Sequence, residues 1–344
     1  MAFVFTADCH MDERGFRADI GAEDGFIGLR YVAQHCLDNG LDLVIGGDLY
    51  DKNRPRPRIV NETVRILQPI IDAGHQVAFT QGNHDKHLGE AWLDGMPGAL
   101  RLGCQPQQVG GHALIGIDHC SALDFTAELQ ACDATGADGL VCHQALVQGL
   151  GFDGAGNADL NDPAFAGFKN VWIGDLHTQK EHFSNDGSVR GVYPGPVWAR
   201  NVSEAGNAGF FVVSDEKDEK GFYRYTRVDL PERPVLRLHI DSEDDLRATV
   251  ESEEFRQSLS ADTYAHLPEG LRRPVLYVTY FKDTMAVEST LREALEAAGG
   301  GVYVEQASPA RASFTAQTMR RITDDYTEPE KFTSILARAA GGRE

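Results

Sequence analysis

Acidic, histidine and asparagine side chains recur in this sequence directly after short apolar runs. Asp8 and His10 follow the first run, AFVFTA, and Asp48 follows the second, LDLVI. Mixed oxygen and imidazole donors suit Mn²⁺, Fe²⁺ or Zn²⁺. The predicted metal ligands are Asp8, His10, Asp48, Asn83, His143, Asp175 and His177. A set of this size favours two ions, which together activate water for displacement at phosphorus.

Each of these patterns has an ordinary alternative when it is taken alone. A lone Asp-x-His pair is common in proteins without metal, and Gly82-Asn-His-Asp85 could cap a helix. His143 by itself fits a hydrogen-bonded histidine of the core. The repetition of such residues after five apolar runs favours one shared site.

The apolar runs alternate with helical patterns, which indicates an α/β fold. We predict strands at 2–7, 41–45, 76–80, 112–117, 139–142 and 171–173, and helices at 26–37 and 59–71. The carboxyl ends of strands meet at one edge of an open α/β sheet. The candidate ligands are therefore predicted to lie together.

The sequence pattern changes near residue 230, and we predict two domains, 1–230 and 231–344. A hairpin at 210–228 closes the first domain, and Pro231-Glu-Arg-Pro234 marks the boundary. The second domain is predicted to be α+β. Its strands are predicted at 235–240, 275–281 and 302–305, with helices near 243–258, 286–298 and 328–339.

Composition narrows the classes of protein to consider. The 344 residues carry 32 Lys and Arg against 52 Asp and Glu, a net charge of −20, which excludes a broad basic nucleic-acid surface. No apolar stretch approaches the ~20 residues of a membrane span, and the N-terminus does not resemble a signal peptide. The six cysteines form no CxxC pair, so we expect a cytoplasmic protein with free thiols.

One local stretch, here called the basic segment (residues 52–58), departs from this acidic balance. It carries four cations in seven residues, Lys52, Arg54, Arg56 and Arg58. Cations beside a metal centre could bind the backbone phosphates of DNA. The alternative is a solvated loop that its two prolines hold extended.

The candidate motifs together resemble a known family, the calcineurin-like metallophosphoesterases. The motifs are Asp8-x-His10, Gly47-Asp48-x-x-Asp51, Gly82-Asn-His-Asp85, His143 and Gly174-Asp175-x-His177. Finer details resemble the SbcD-type double-strand-break repair nucleases of bacteria and phages. These details are the run 46–55 (GGDLYDKNRP), His143-Gln144 and Tyr193-Pro-Gly-Pro196. The resemblance covers residues 1–230 and implies a layered β-sandwich core flanked by helices, followed by a smaller α+β capping domain.

The resemblance also implies a role for each residue. One ion would have Asp8, His10 and His177, and the other Asn83, His143 and Asp175, with Asp48 shared. His84 would be the general acid or would stabilise the transition state. Asp85 would orient His84 or cap its loop.

Two positions depart from the family pattern. The family usually has His where Asp175 stands, and Asp51 occupies a position where archaeal and eukaryotic relatives commonly have His. Asp51 favours the bacterial and phage branch. A carboxylate at 175 makes the site harder and more anionic, which favours Mn²⁺ or Mg²⁺ over Zn²⁺.

The leading hypothesis is a DNA exonuclease, with endonuclease activity possible, that uses two divalent ions, Mn²⁺ first and Mg²⁺ or Fe²⁺ as alternatives. The resemblance implies a role in DNA repair or recombination, an SbcC-type coiled-coil ATPase partner docked near residues 328–339, and a homodimer. Two alternatives stay open. One is a phosphatase or phosphodiesterase acting on nucleotides or other small phosphoesters, and the other is a non-catalytic scaffold of an ATPase complex.

Overall fold

The structure is a computed structural model that describes residues 2–12, 16, 23–85, 95–150, 156–280 and 284–305. Two six-stranded sheets form the larger part of these residues, and a three-stranded sheet follows them. The predicted helix at 328–339 lies outside the described residues. Within the described part of the chain, no helix combines the length and the apolar composition needed to cross a membrane.

The first sheet consists of parallel strands extended by one hairpin. Its strands are β1 (Ala2–Thr6), β2 (Asp42–Gly46), β3 (Val77–Thr80), β4 (Ala99–Arg101), β11 (Gly209–Lys217) and β12 (Tyr223–Asp229). Their order across the sheet is β12-β11-β1-β2-β3-β4. The strands β1 to β4 run parallel, and β11 pairs antiparallel with β1.

The second sheet lies between β4 and β11 in the sequence. Its strands are β5 (Gln107–Val109), β6 (His112–Ile117), β7 (Gly139–His143), β8 (Asn170–Gly174), β9 (Lys180–Phe183) and β10 (Arg190–Tyr193). Their order is β5-β6-β7-β8-β10-β9. Within it, β6, β7 and β8 run parallel, as do β8 and β10.

The two sheets pack face to face and helices cover their outer faces. Between the sheets, Phe3, Phe5 and Val44 share an apolar cluster with Val141 and Trp172. The outer face of the first sheet packs against α1 (Asp24–Asn39) and α2 (Pro57–Asp72), and that of the second against α3 (Ala122–Ala131). A single helical turn, α4 (Val147–Leu150), follows β7. The result is a four-layer α-β-β-α sandwich.

The third sheet is parallel throughout and has its own core. Its strands are β13 (Val235–Ile240), β14 (Val275–Tyr280) and β15 (Val302–Glu305), in the order β13-β14-β15. The helices are α5 (Glu243–Glu251), α6 (Glu253–Leu259) and α7 (Thr284–Ala297). Apolar residues of these helices pack against β14, including Leu246, Phe255 and Leu291.

A buried ion pair fastens the segment before β13 to the first sheet's helices. Arg233 donates to both carboxylate oxygens of Asp24, at 2.7 and 2.6 Å. The same guanidinium donates to the carbonyls of Gly270 and Arg273, at 2.6 Å each. Both charged side chains are almost fully buried. Arg233 thus joins the start of α1 to the loop that precedes β14.

The structure confirms the α/β class and the sandwich core, and it corrects two expectations. The strands that carry the candidate ligands are divided between two sheets instead of forming one open sheet. Cys104 and Cys132 are joined in a disulfide, so the expectation of free thiols throughout was wrong for this pair. They come together because α3 ends against the loop after β4, a tertiary contact invisible in sequence spacing. Cys9, Cys36, Cys120 and Cys142 form no disulfide within the described part of the chain.

Candidate metal centre

Parallel strands from both sheets end at the same edge of the sandwich, and the candidate ligands follow them. Each predicted ligand stands at a strand end: Asp8 and His10 after β1, Asp48 after β2, Asn83 after β3, His143 at the end of β7, and Asp175 and His177 after β8. Strand β3 of the first sheet contributes an amide side chain, whereas β1 and β2 contribute carboxylates. The face-to-face packing of the sheets brings both sets together.

The carboxylates of Asp8 and Asp48 lie at the middle of this cluster. His177 Nε2 lies 3.5 Å from Asp8 Oδ1, and His143 Nε2 lies 3.4 Å from Asp48 Oδ2. His10 Nε2 is 3.4 Å from Asp48 Oδ2 and 3.0 Å from His177 Nε2. Asp8, His10 and His177 form one group with ligand atoms close enough for an ion, and Asp8, Asp48 and His143 form another.

Two of the histidines have their other ring nitrogen engaged by the protein. His143 Nδ1 donates to the carbonyl of Gly46 at 2.8 Å, and His177 Nδ1 donates to Glu204 Oε1 at 2.9 Å. An imidazole whose Nδ1 carries the donated proton has its Nε2 lone pair available. In the neutral form that binds a metal ion, both rings would therefore direct an electron pair at the cluster.

Divalent metal ions fit this donor set. His143 Nε2 and Asn83 Oδ1 are buried and have no hydrogen-bond partner among the described residues. A buried polar atom without a partner is costly. An ion bound between Asp8, Asp48 and these atoms would supply the missing interaction. The carboxylates, imidazoles and amide together are the donors of a hard or borderline divalent ion.

Asp175 stands at the edge of the cluster and contacts it through its backbone as well as its side chain. Its N–H donates to both oxygens of Asp8, at 3.0 and 3.1 Å. Its Oδ1 lies 3.8 Å from His143 Nε2. A carboxylate therefore occupies this position of the cluster beside His143.

His84 lies over the cluster and is held by two hydrogen bonds. Its backbone N–H donates to Asp48 Oδ1 at 2.9 Å, and its Nδ1 donates to the backbone carbonyl of Asp51 at 2.7 Å. The ring also stands edge-on to His10, with centroids 4.8 Å apart. Its Nε2 is the nitrogen left for a proton transfer.

Asp85 fastens two loops of the site together. Its carboxylate accepts the backbone N–H groups of Leu49, Tyr50 and Gly82, at 3.2, 3.0 and 3.0 Å. Burial and the nearby Asp48 carboxylate raise the pKa of Asp85 to about 6. These contacts favour the loop-capping alternative for Asp85 over a direct contact with His84.

Charge interactions within the cluster keep the central carboxylate ionised. Burial alone would raise the pKa of Asp48, but His143 and His84 lower it well below its usual range. For His177, burial and Arg200 lower the pKa, and the hydrogen bonds to Asp8 and Glu204 outweigh them and raise it to about 9. The cluster is thus a buried set of paired charges.

The basic segment lies beside the centre and faces solvent. All four of its cations are exposed. Lys52 Nζ forms an ion pair with Asp12 Oδ2 at 2.5 Å. Arg58 lies in the first turn of α2, where Pro57 begins the helix. The three arginines are therefore exposed to solvent, and Lys52 forms an ion pair.

Sequence reasoning missed two residues that contact the cluster. Glu204 receives the His177 hydrogen bond, and Arg200 pairs with Asp51, a motif residue to which the sequence assigned no role in the site. Both come from the irregular stretch after β10 instead of from a strand end. The only local signal is their spacing, with Arg200 four residues after Tyr193-Pro-Gly-Pro196 and Glu204 four residues after Arg200.

A two-sheet sandwich with this acidic and histidine centre at shared strand ends is the architecture of a metallophosphoesterase. Residues 1–184 match the calcineurin-like phosphoesterase family, so the chain belongs to that family.

Similar proteins are known from archaea and share one description, DNA double-strand break repair protein Mre11. The protein of Halobacterium salinarum is 29% identical over 250 residues, which are 69% of this chain and 62% of that protein. That of Haloferax volcanii is 28% identical, over 69% of this chain and 54% of that protein. That of Aeropyrum pernix is 26% identical, over 86% of this chain and 77% of that protein. The match thus spans just over half of each halobacterial relative's length.

Proposed function

We propose that this chain is a Mn²⁺-dependent nuclease that hydrolyses DNA phosphodiester bonds in repair or recombination. The observation that carries the proposal is the convergence of carboxylates, imidazoles and an amide at one edge, with the exposed basic segment beside it. The relatives' description as DNA double-strand break repair proteins supports DNA as the substrate.

The proposed ligands divide between two ions that share Asp48. One ion takes Asp8, His10 and His177, and the other takes Asn83, His143 and Asp175. Three carboxylates and an amide oxygen make the set hard, which favours Mn²⁺ over Zn²⁺, with Mg²⁺ or Fe²⁺ as alternatives. Two such ions, when bound, activate a water and neutralise charge that develops at phosphorus.

The protein's own groups supply the proton and the orientation. His84 Nδ1 donates to the Asp51 carbonyl, so the doubly protonated ring carries its second proton on Nε2, from which it can pass to the leaving oxygen or form a hydrogen bond to the phosphate. The hydrogen bond from the His84 backbone to Asp48 fixes its distance from the shared carboxylate. Asp85 holds both loops in place through its three backbone partners.

The basic segment is proposed to bind the DNA backbone next to the scissile phosphate. Arg54, Arg56 and Arg58 are exposed, and each is always charged. Lys52 contributes less because its ammonium group is paired with Asp12. Since the chain has a net charge of −20, DNA binding depends on such a local patch and weakens steeply with salt.

The wider organisation is also part of the proposal. Residues 1–230 are the nuclease domain, and residues 231–344 are a capping and partner-docking domain. The resemblance to SbcD-type nucleases supports a cytoplasmic protein that works as a homodimer with an SbcC-type coiled-coil ATPase.

The test is cleavage of end-labelled single-stranded and duplex DNA with Mn²⁺, Mg²⁺ or EDTA. Wild type is compared with His84→Ala and with a control, His239→Ala, in β13. We expect cleavage with Mn²⁺, none with EDTA, a loss of at least about 100-fold in His84→Ala, and no loss in the control.

Two results would contradict the proposal. Hydrolysis of p-nitrophenyl phosphate with no cleavage of DNA, alone or with the ATPase, would indicate a small-molecule phosphatase. Tight Mn²⁺ binding without hydrolysis of any phosphoester would indicate a scaffold.

A further inference from the structure

Three charged side chains form a layer behind two of the imidazoles of the metal centre. They are Asp51, Arg200 and Glu204, called here the outer network. Arg200 Nη1 donates to Asp51 Oδ1, and Arg200 Nη2 lies 3.7 Å from Glu204 Oε1. The guanidinium therefore bridges the two carboxylates. About one fifth of the Arg200 side chain is exposed, so the network is largely shielded from water.

Both carboxylate oxygens of Glu204 accept hydrogen bonds. Its Oε1 accepts from His177 Nδ1 at 2.9 Å and from Asn201 Nδ2 at 2.7 Å. Its Oε2 accepts from the backbone N–H of Arg200 at 2.8 Å. Only 8% of the side chain is exposed. The carboxylate thus uses both oxygens as acceptors and needs both.

Asp51 faces the other imidazole. Its Oδ1 lies 3.5 Å from His10 Nδ1, which is buried and has no hydrogen-bond partner among the described residues. The same oxygen is the one that Arg200 holds. His10 and His177 in turn approach each other through their Nε2 atoms at 3.0 Å. Each imidazole therefore has a carboxylate on its Nδ1 side and the metal centre on its Nε2 side, and at His177 the Arg200 Nη2 atom also approaches Nδ1, at 3.2 Å.

We propose that the outer network positions His10 and His177, holding each ring with its Nε2 lone pair directed at the metal centre. Asp51 and Glu204 act on the Nδ1 side of the two rings, and Arg200 fixes the spacing between the carboxylates. The link of this inference to catalysis rests on the proposed function. The effect of the outer network on metal binding does not depend on it. Carboxylate partners of ligating histidines typically contribute 10- to 100-fold in metal affinity.

The substitution Glu204→Gln separates this role from simple packing. Gln has the same shape but only one acceptor oxygen, while the Arg200 N–H and the His177 Nδ1–H each need an acceptor. If the amide group turns its NH₂ toward His177, it stabilises the tautomer that carries its proton on Nε2. That tautomer has no lone pair for the ion.

The experiment measures Mn²⁺ binding to the full-length chain by titration calorimetry after the protein has been stripped with EDTA. The variants are Glu204→Gln, Asp51→Asn and Arg200→Lys. Asp12→Asn is the matched control, since it removes a neighbouring carboxylate that pairs with Lys52. Urea unfolding of each metal-free variant measures stability separately. The Nδ1–H proton of His177, observed in ¹⁵N-histidine-labelled metal-free protein, reports the hydrogen bond directly.

We expect Glu204→Gln to weaken Mn²⁺ binding about 10- to 100-fold and to shift or abolish the His177 Nδ1–H signal. Arg200→Lys should retain part of the affinity because it keeps one positive charge. Asp12→Asn should bind Mn²⁺ within about twofold of wild type. Unchanged affinity and an unchanged Nδ1–H signal in Glu204→Gln would overturn the proposal. If Glu204→Gln does not fold, the proposal would be overturned by Asp51→Asn and Arg200→Lys both binding Mn²⁺ as tightly as wild type.

The result is independent of whether DNA is the substrate. Weak Mn²⁺ binding in the variants, together with a wild type that leaves DNA intact, supports the outer network and contradicts the nuclease. A wild type that cleaves DNA, with variants that bind Mn²⁺ normally, supports the nuclease and contradicts the network.

Discussion

Left-handed backbone conformations are concentrated among the residues of the metal centre. Of the described non-glycine residues, five have positive φ, and four of these are Asp8, His10, Asp48 and Asp175, at 53°, 42°, 51° and 100°. Such conformations are uncommon and cost of order 1 kcal/mol or more each. They turn the chain sharply at the strand end, so that the side chain or the N–H points into the cluster.

Gly82 shows how closely the backbone approaches at this centre, and it supports a first prediction. A Cβ at this position would lie 1.9 Å from Asp48 Oδ1 and 2.4 Å from the Asp48 nitrogen. We expect Gly82→Ala to displace the shared carboxylate, to lower DNA cleavage about 100-fold, and to destabilise the fold by about 1–3 kcal/mol. Cleavage assays and urea unfolding measure the two effects.

The control for this variant is Gly103→Ala, where an added Cβ meets no atom within 4 Å. It should retain activity and unfold within about 0.5 kcal/mol of wild type. Equal activity of Gly82→Ala and Gly103→Ala would show that the close approach at Asp48 is not required.

The candidate ligands could be predicted because each stands one to four residues beyond an apolar run. A buried strand has a sequence signature, and the polar residue that ends it is visible beside it. Arg200 and Glu204 have no such signature, since they lie in an irregular stretch. Their partners, Asp51 and His177, are 149 and 27 residues distant. Only the folded chain brings them together.

At the scale of elements, the basic segment joins β2 to α2 and supports a prediction about DNA affinity. Arg54 and Arg58 are exposed beside the metal centre. Each phosphate contact contributes about 0.9 to the slope of log K against log salt. We therefore expect Arg54→Gln with Arg58→Gln to lower that slope by about two. The DNA affinity is measured by fluorescence anisotropy of labelled DNA. All variants carry His84→Ala, which prevents cleavage during the measurement.

Arg65→Gln in the same helix is the matched control. Arg65 is exposed and pairs with Glu62 on α2. Its substitution should leave the salt slope unchanged. A double variant with the wild-type slope would show that DNA binds elsewhere.

The elements that could be predicted are those with continuous apolar runs. Strands β1, β2, β3, β6, β7 and β8 are almost entirely buried and were all predicted within two residues at each end. The strands that were not predicted, β4, β5, β9 and β10, are each three or four residues long, and all of them except β10 are only partly buried. Short, partly exposed strands mix polar and apolar residues, so no clear period can form. Their pairing depends on neighbours that are distant in the sequence.

At the scale of the whole molecule, the buried pair of Arg233 and Asp24 supports a stability prediction. Removing one partner of a buried ion pair leaves the other charge uncompensated and costs about 3–5 kcal/mol. We expect Arg233→Gln to lower the free energy of unfolding by this amount. Adding Asp24→Asn should cost less than the sum of the single variants, because the partner charge is then absent.

The exposed Arg237 of β13 provides the control for this cycle. It donates to the carbonyl of Val202 at 2.9 Å. Arg237→Gln should change the free energy of unfolding by less than about 0.5 kcal/mol. If Arg233→Gln also changed the free energy of unfolding by less than about 0.5 kcal/mol, the buried Arg233–Asp24 pair would not be what holds the segment before β13.

Glu232, next to Arg233, supports a prediction about pH. Burial raises the pKa of Glu232 to about 7, against its usual 4.5, although Gly206 N–H donates to it. The folded state therefore holds a proton that the unfolded state has released. The contribution of Glu232 to the free energy of unfolding is fully present below pH 4.5 and is lost as the pH rises through 7.

The variant Glu232→Gln should remove this dependence. We expect it to be more stable than wild type by about 2 kcal/mol at pH 8, less than the full linkage value because the side chain keeps some solvent contact. Exposed Glu216→Gln should keep the wild-type profile. Parallel stability curves for wild type and Glu232→Gln between pH 4 and pH 8 would contradict the prediction.

The division of the centre between two sheets has a consequence for the time at which the protein becomes able to cut. A ribosome completes Asp8, His10, Asp48 and Asn83 long before it makes His143, Asp175 and His177. The hairpin β11–β12, which extends the first sheet beside β1, is made later still. Nascent chains and fragments that lack the second sheet therefore hold an incomplete ligand set. Under the proposed function, hydrolysis would therefore wait until the second sheet has been synthesised.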